Sequence, residues 1–270
     1  MRAPTRPDPG AASATPVGVA YHERRAWLTE YFDRTAATAW ARLTSDAPVS
    51  GIRRTVREGR ETMRRTMTGW LPETLHGVRV LDAGCGPGVF AMELAARGAH
   101  VVAVDVSPTL VGLARERAAG QPGAKRISWH VGDMLDPTLG RFDWVVAMDS
   151  LIHYPDDEIV NALSALAGRT RQGIVATFAP ATPLLSTLHA VGRLFPRGDR
   201  APAIEPVAES RLRARIAAAP ALAGWRAART HRVKRGFYTS QALELCRVAD
   251  DHAATVPAAP PSGGRTSIVQ

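Results

Sequence analysis

Cysteine is scarce in this chain, and its scarcity excludes folds that depend on disulfides or on structural zinc. The 270 residues include only two cysteines, Cys85 and Cys246. A disulfide framework and a zinc site both need larger clusters of cysteine, or of cysteine with histidine. We therefore predict no metal site, and a reducing cytoplasm is the default location.

Long apolar runs are also lacking, which argues against secretion and against a membrane span. Residues 1–20 contain several prolines and no apolar stretch of signal-peptide type, so we interpret them as a disordered leader. The stretch 172–192 has no Lys, Arg, Asp or Glu, but Pro180 and Pro183 interrupt it, and we reject a transmembrane helix there. The Pro/Ala-rich residues 251–270 are predicted to form a disordered tail.

Acidic residues are outnumbered by basic ones. The chain has 34 Lys and Arg against 25 Asp and Glu, a formal net charge of +9. Such an excess favours anionic partners, which include nucleic acid, a lipid surface and an acidic small molecule. Charge alone does not choose among these partners. Apolar residues make up 45% of the chain, which is enough for a folded core.

The segment 21–71 is predicted to form two helices, the second of which is amphipathic. Apolar residues recur in it at helical spacing. Its remaining surface is rich in arginine, at positions Arg53, Arg54, Arg57, Arg60, Arg64 and Arg65. Two interpretations stay open, a solvated surface or a lid that faces an anionic ligand or a membrane. We predict that 21–71 forms a helical lid, together with a capping insertion at 183–204.

Strand and helix patterns alternate from residue 78 onward. We predict strands at 78–82, 100–105, 126–131, 142–148 and 173–178, and helices at 89–97, 107–118 and 156–168, with Ser107 as a helix cap. A further helix should follow Pro206, and 225–233 and 236–238 should form a closing antiparallel pair. This order predicts an α/β fold with a doubly wound, mostly parallel seven-stranded sheet.

A glycine-rich turn after the first strand gives the strongest local signal. Segment 82–88 reads Asp-Ala-Gly-Cys-Gly-Pro-Gly. Its glycines allow the backbone to turn sharply and to approach a ligand closely. The spacing differs from the G-x-G-x-x-G of dinucleotide sites, where a helix terminus meets a pyrophosphate. Asp82 would repel a phosphate but suits a cation, such as the amino group of a methionine moiety.

Acidic residues also end the next two strands. A carboxylate at Asp105 can accept both hydroxyls of a ribose, while Asp133 can hold an adenine amino group with Met134 against the ring. Acids at three successive strand ends, with the glycine loop, predict a site for S-adenosylmethionine. The predicted cofactor-binding residues are Asp82, Gly84, Cys85, Gly86, Gly88, Asp105, Val106, Asp133, Met134 and Asp149. Over residues 78–180 the pattern resembles the class I methyltransferases, whose Rossmann-like domain we place at 72–250.

Two absences narrow the choice of methyl acceptor. The segment after the fourth strand, 149–155, reads Asp-Ser-Leu-Ile-His-Tyr-Pro. It lacks the Asn/Asp-Pro-Pro-Tyr/Phe sequence of enzymes that methylate amino groups of nucleic acids. Cys85 lies inside the glycine loop, where we interpret it as a small packing residue and not as a base-attacking nucleophile.

Several further segments carry a more specific pattern, at 31–35, 52–60, 151–155, 178–180, 194–196 and 236–238. Together they resemble one subfamily, the magnesium-protoporphyrin IX O-methyltransferases of (bacterio)chlorophyll synthesis, in a resemblance that spans roughly 27–250. The long Pro/Ala ends and a shorter, Ala-rich linker near 208–223 depart from the family pattern. The resemblance implies methyl transfer from S-adenosylmethionine to a porphyrin propionate. It also implies contact with the porphyrin-binding subunit of magnesium chelatase and peripheral attachment to the photosynthetic membrane, with no nucleic-acid partner.

His153 and Tyr31 are the predicted catalytic residues. A propionate resembles a Glu side chain and is ionised at neutral pH, so it needs orientation and not a general base. Each residue has a plainer alternative, a surface histidine for His153 and a packed aromatic for Tyr31. Other functions also stay open: a nucleic-acid methyltransferase, a different small-molecule O-methyltransferase, or a catalytically silent partner of the chelatase.

Overall fold

The computed structural model describes residues 19–33, 51–181 and 204–248. The predicted tail, the insertion up to residue 203 and most of the predicted leader lie outside these ranges. The last two leader residues, Val19 and Ala20, instead begin a helix, α1 (Val19–Tyr31). The second predicted N-terminal helix is α2 (Gly51–Thr68).

A seven-stranded sheet forms the centre of the molecule. Its strands are β1 (Arg79–Ala83), β2 (His100–Asp105), β3 (Ile127–Val131), β4 (Phe142–Ala147), β5 (Thr170–Phe178), β6 (Trp225–Arg235) and β7 (Tyr238–Arg247). The spatial order is β3-β2-β1-β4-β5-β7-β6. The first five strands are parallel, and β7 pairs antiparallel with both β5 and β6. The predicted doubly wound fold is confirmed.

Helices cover both faces of this sheet. They are α3 (Val89–Ala96), α4 (Pro108–Ala118), α5 (Asp156–Ala167) and α6 (Glu209–Ala218), in addition to α1 and α2. Successive residues of β1 enter opposite cores, since Leu81 packs in a cluster with residues of α5 and α6. Val80 packs instead with residues of α2 and α3. This alternation is the one expected of a strand that is covered on both sides.

The loops at the carboxyl ends of the strands follow from local sequence. Ser107 precedes α4, and its hydroxyl accepts a hydrogen bond from the Leu110 amide at 3.2 Å, as predicted. Gly88 precedes α3 with a φ of 79°. A Cβ at Gly88 would lie 2.6 Å from the Trp129 ring, so the position requires glycine for packing as well as for backbone geometry.

The closing strand β7 is longer than the sequence pattern predicts. We expected 236–238, whereas residues 236 and 237 form a two-residue turn and the strand runs to Arg247. The pattern failed because β7 buries polar side chains. Glu244 is 2% exposed and pairs with Arg229 at 2.5 Å, across the hairpin. Within the described residues, no helix has the length and apolar character needed to cross a membrane.

Candidate active site

A cavity of about 370 Å³ opens at the carboxyl ends of the parallel strands. Ligands bind at this edge in doubly wound sheets. The glycine loop after β1 and the residues that follow β2, β3 and β4 line one side. The other side consists of residues from the N-terminal segment: Tyr21, Arg25 and Leu28 of α1, Phe32 directly after it, and Arg57, Arg60, Glu61 and Arg64 of α2.

The glycine loop has the close-approach geometry that its sequence predicts. Gly84 and Gly86 both adopt positive φ values, 80° and 51°. A Cβ at Gly84 would lie 2.5 Å from the Cβ of Ser150, so the loop packs directly against the segment after β4. At Gly86 the added atom would meet nothing within 4 Å. The Gly86 amide donates a hydrogen bond to Asp105 at 2.8 Å.

The carboxylate of Asp82 is buried and only partly hydrogen-bonded, as expected of a group that binds a cation. It is 1% exposed, and its Oδ2 has no hydrogen-bond partner among the described residues. Burial, with a contribution from the nearby Asp105, raises the pKa of Asp82 to about 7. A buried, unsatisfied carboxylate is costly unless a positive group approaches it. The ammonium of a methionine moiety would fill that role.

Asp105 and Asp133 stand at the ends of the next two strands. Asp105 accepts hydrogen bonds from the amides of Gly86 and Ser107, and burial still raises its pKa. Asp133 accepts the Tyr21 hydroxyl at 2.8 Å and the Leu135 amide at 2.9 Å. Lone pairs of both carboxylates remain for ligand groups.

Three further predicted residues, Cys85, Val106 and Met134, also line the cavity. Burial raises the pKa of the Cys85 thiol well above its usual range, so it has none of the thiolate character of a nucleophile. This agrees with the packing role that we assigned to it. Cofactor binding by all of the predicted residues stays a prediction.

Asp149 lines the cavity, but protein groups already hold its carboxylate. Arg60 lies 2.6 Å from it, and the hydroxyls of Tyr238 and Ser240 donate to it at 3.1 Å. The Asp149 amide in turn donates to the Thr177 hydroxyl at 2.7 Å. The sequence did not reveal this network because its members come from four separate elements. A cofactor contact of Asp149 stays a prediction. Its carboxylate also connects α2 to β7, through Arg60 on one side and Tyr238 and Ser240 on the other.

His153 lies in the wall of the cavity, at the end of a short turn that follows β4. It is 7% exposed, which does not fit the alternative of a surface histidine. Its ring lies 5.8 Å from the ring of Phe32, the residue directly after α1. Its carbonyl oxygen accepts a hydrogen bond from Arg24 of α1 at 3.3 Å. The turn and the N-terminal segment therefore hold His153 in the wall of the cavity that the glycine loop also lines.

Tyr31 lies beside the cavity and is not among the described residues that line it. Its ring packs against Trp27 at 6.2 Å and against Phe32 at 5.4 Å, and burial raises its pKa. The tyrosine of α1 that enters the cavity is Tyr21, which stacks on Tyr154 at 5.5 Å. The helical spacing from Tyr21 to Leu28 and Phe32 could have identified it.

The arginine-rich helix α2 turns part of its basic face inward. Arg57, Arg60 and Arg64 line the cavity, while Arg65 keeps 71% of its side chain exposed. Acids balance some of this charge, since Arg64 pairs with Glu61 and, at 3.1 Å, with Glu93 of α3. The face is therefore not wholly solvated, and the lid facing an anionic ligand stays a prediction.

Sheet order, glycine loop and strand-end acids together define a class I methyltransferase. A model of the magnesium-protoporphyrin IX methyltransferase C-terminus matches residues 147–247, and a general methyltransferase domain model matches 80–173. The chain is 50% identical to the magnesium-protoporphyrin O-methyltransferase of Rhodobacter capsulatus, over 83% of this chain and 97% of that protein. The chain therefore belongs to the magnesium-protoporphyrin O-methyltransferase family.

More distant relatives agree with this assignment. The magnesium-protoporphyrin O-methyltransferase of Synechocystis is 31% identical, over 82% of this chain and 95% of that protein. A crystal structure of the magnesium protoporphyrin IX methyltransferase from Synechocystis with bound S-adenosylhomocysteine superposes with a TM-score of 0.71. That match has 30% identity and covers 83% of this chain and 100% of the other.

Proposed function

We propose that this protein transfers a methyl group from S-adenosylmethionine to a propionate carboxylate of magnesium-protoporphyrin IX. The products are the monomethyl ester and S-adenosylhomocysteine, and the reaction belongs to (bacterio)chlorophyll biosynthesis. The observation that carries the proposal is the 50% identity to the Rhodobacter enzyme over nearly its whole length. The cavity supports it, since it joins strand-end acids to a basic helix.

In this proposal each strand-end acid binds a different group of the cofactor. Asp82 receives the ammonium of the methionine moiety, Asp105 the ribose hydroxyls and Asp133 the adenine amino group. The unsatisfied Oδ2 of Asp82 supports the first assignment. The Gly86 position, where an added atom would meet nothing within 4 Å, leaves space for the cofactor beside Asp105.

The acceptor reaction needs orientation more than proton transfer. One propionate oxygen attacks the sulfonium methyl, the C–S bond breaks as the C–O bond forms, and sulfur leaves as a neutral thioether. Because the propionate is already ionised at neutral pH, no proton has to be removed. We propose that His153 and Tyr31 orient the carboxylate, and that Arg57 and Arg64 attract the anionic substrate. Positioning of this kind can lower a barrier by about 7–11 kcal/mol.

We also propose that the β6–β7 hairpin touches an anionic membrane surface. Phe237 is 74% exposed in the turn, and Lys234 and Arg235 beside it are exposed as well. An exposed aromatic flanked by cations suits an anionic lipid interface. Phe237→Ser and the pair Lys234→Gln/Arg235→Gln should each lower flotation with phosphatidylglycerol vesicles, while Val248→Ser serves as the control. Flotation of all variants equal to that of the wild type would show that this hairpin does not contact the membrane.

A metalloporphyrin is poorly soluble, and we propose that the porphyrin-binding subunit of magnesium chelatase delivers it. Trp27 of α1, which is 43% exposed and packs on Tyr31, supports a contact beside the cavity. In a transfer assay from the loaded subunit, Trp27→Ser should slow methylation, and it should not do so with detergent-dispersed porphyrin. Equal slowing in both assays would argue against the contact.

One labelling experiment tests the main proposal. The protein is incubated with methyl-labelled S-adenosylmethionine and either magnesium-protoporphyrin IX or total RNA, and the labelled product is identified. We expect the porphyrin monomethyl ester, and Asp105→Ala as the matched control should lose it. Label in RNA alone would favour the nucleic-acid alternative, and no label in either would favour a silent cofactor-binding protein.

A further inference from the structure

A buried ion pair joins the basic helix α2 to the strand edge of the active site. Arg60 Nη1 lies 2.6 Å from Asp149 Oδ2, and the two side chains are 17% and 3% exposed. The roles proposed above for cofactor and acceptor leave this ion pair unexplained, although a cofactor contact of Asp149 is also predicted. An ion pair that is largely buried is a poor source of stability, because desolvation offsets the attraction, so a role in arranging the site is the better explanation.

The backbone at Asp149 is strained, and the structure holds it in that conformation. Its φ of 56° makes it the one non-glycine residue with a positive φ among the described residues. Besides Arg60, its carboxylate accepts the hydroxyls of Tyr238 and Ser240, and its amide donates to Thr177. Strained residues of this kind persist only where their surroundings determine them, and they concentrate at functional sites.

The strained residue begins the turn that presents His153. Ser150 follows it directly, and the turn Leu151–His153 comes next. The Gly84 position lies so close to Ser150 that an added Cβ would be 2.5 Å from its Cβ. A change in the backbone at Asp149 would therefore move both the His153 turn and the loop that faces the cofactor.

The helix that supplies Arg60 is seated closely on the β6–β7 hairpin. A Cβ at Gly59 would lie 2.4 Å from the Tyr238 ring, and one at Gly236 would lie 2.6 Å from the Thr55 hydroxyl. Tyr238 thus contacts the helix through its ring and Asp149 through its hydroxyl. Docking of α2 on this hairpin brings Arg60 to the carboxylate.

We propose that Arg60 and Asp149 are positioning residues, through which docked α2 sets the His153 turn against the cofactor loop. The inference rests on the proposed function but concerns residues that do not touch the reacting atoms. It differs from a direct role of Arg60 in binding the porphyrin carboxylate. Loss of a direct contact between Arg60 and the porphyrin would raise KM, whereas loss of positioning lowers kcat. If the two residues act together, substitution of Asp149 should lower kcat as substitution of Arg60 does.

The test compares Arg60→Gln, Asp149→Asn and the double variant, with Arg65→Gln as an exposed control on the same helix. Asn tolerates a positive φ, so Asp149→Asn removes the charge without forcing a new backbone. We expect each single variant to lower kcat about 10- to 100-fold, because small displacements of reacting groups cost that much. The porphyrin KM should stay within about threefold in all of them, and the affinity for S-adenosylhomocysteine within about threefold in Arg60→Gln. The kcat of the double variant should be no lower than that of the poorer single one.

A milder variant and a second readout keep the inference testable if an unpaired buried charge prevents folding. Tyr238→Phe removes one hydrogen bond and no charge, and it should lower kcat about 3- to 10-fold. Hydrogen exchange at residues 84–86 and 150–154 should rise in Arg60→Gln and Tyr238→Phe but not in Arg65→Gln. A raised KM with unchanged kcat, additive effects, or unchanged exchange in the folded variants would each overturn the inference.

The same experiment separates this inference from the proposed function. If the wild-type protein fails to methylate magnesium-protoporphyrin IX, the proposed function is wrong, while the exchange data still decide whether Arg60 and Asp149 position the turn. If the wild type is active and Arg60→Gln retains full kcat, the proposed function stands and the positioning pair is refuted.

Discussion

The hydroxyl of Tyr21 on α1 donates a 2.8 Å hydrogen bond to the carboxylate of Asp133 at the end of β3. Arg25, one turn further along the helix, lies 3.5 Å from the other carboxylate oxygen. The N-terminal helix is thereby tied to the strand end to which we assign the adenine, 112 residues away along the chain. Cofactor binding and the seating of α1 should therefore depend on each other.

Tyr21→Phe tests this dependence. The variant keeps the ring that stacks on Tyr154 but loses the hydrogen bond, so we expect about 1 kcal/mol, or roughly fivefold, weaker binding of S-adenosylhomocysteine. Calorimetry measures the affinity, and hydrogen exchange should show less ligand-induced protection in α1. Tyr31→Phe is the matched control and should bind normally. If the two variants bind equally well, Tyr21 does not connect the helix to the cofactor site.

Asp105→Ala should weaken cofactor binding far more than acceptor binding. The carboxylate is expected to accept two ribose hydroxyls, and hydrogen bonds to a charged group are worth about 1.5–3 kcal/mol each. It also holds the Gly86 amide, so the loop should loosen in the same variant. Calorimetry with S-adenosylhomocysteine and the KM for porphyrin provide the comparison. An unchanged cofactor affinity would remove Asp105 from the site.

His153 and Tyr31 should orient the propionate carboxylate and should not remove a proton from it. If the propionate is already ionised, His153→Gln keeps one donor, and kcat/KM should fall only about 10- to 100-fold. His153→Ala should cost more, and Tyr31→Phe less than His153→Ala because its ring can still pack. Rates of ester formation across pH 6–9 measure this. Complete loss in His153→Gln at every pH, with cofactor affinity intact, would show that proton transfer is required.

Asp82 should make both stability and cofactor affinity depend on pH. Its pKa of about 7 in the folded protein exceeds that in the unfolded chain, so the unfolded state releases its proton first. Without cofactor, stability contributed by the protonated form is therefore lost as pH rises from about 4 towards 7. The affinity for the ammonium of S-adenosylhomocysteine should rise over the upper part of that range, as the carboxylate ionises.

Asp82→Asn separates the two effects. At pH 8 the variant should resist urea better than the wild type in the absence of cofactor, because no buried charge has to form. At pH 5 the advantage of the variant should be clearly smaller, because the loss of stability has only begun there, and at either pH the variant should bind S-adenosylhomocysteine weakly. A constant stability difference between pH 5 and pH 8 would show that Asp82 does not titrate in this range.

Much of the cofactor half of the site was predictable from the sequence. The strands β1 to β5, the glycine loop and the cap at Ser107 all depend on residues close together in the chain, and their apolar periods and turn residues determine them locally. Asp82, Asp105 and Asp133 each follow a predicted strand. Parallel strands bring their carboxyl ends to one edge, so the meeting of these acids follows from the topology alone.

The tertiary structure decided which side chains complete the site. Tyr21 and Tyr31 lie on different faces of the same helix, and the packing of α1 on the sheet decides that the face with Tyr21 and Leu28 lines the cavity. Arg60 meets Asp149 across 89 residues of chain. In β7, Glu244 and Ser240 look like solvent-facing positions in the sequence, but Arg229 pairs with Glu244 and Asp149 accepts the Ser240 hydroxyl. Such pairings depend on how elements far apart in the chain pack together, and no local pattern of the sequence shows which of them come into contact.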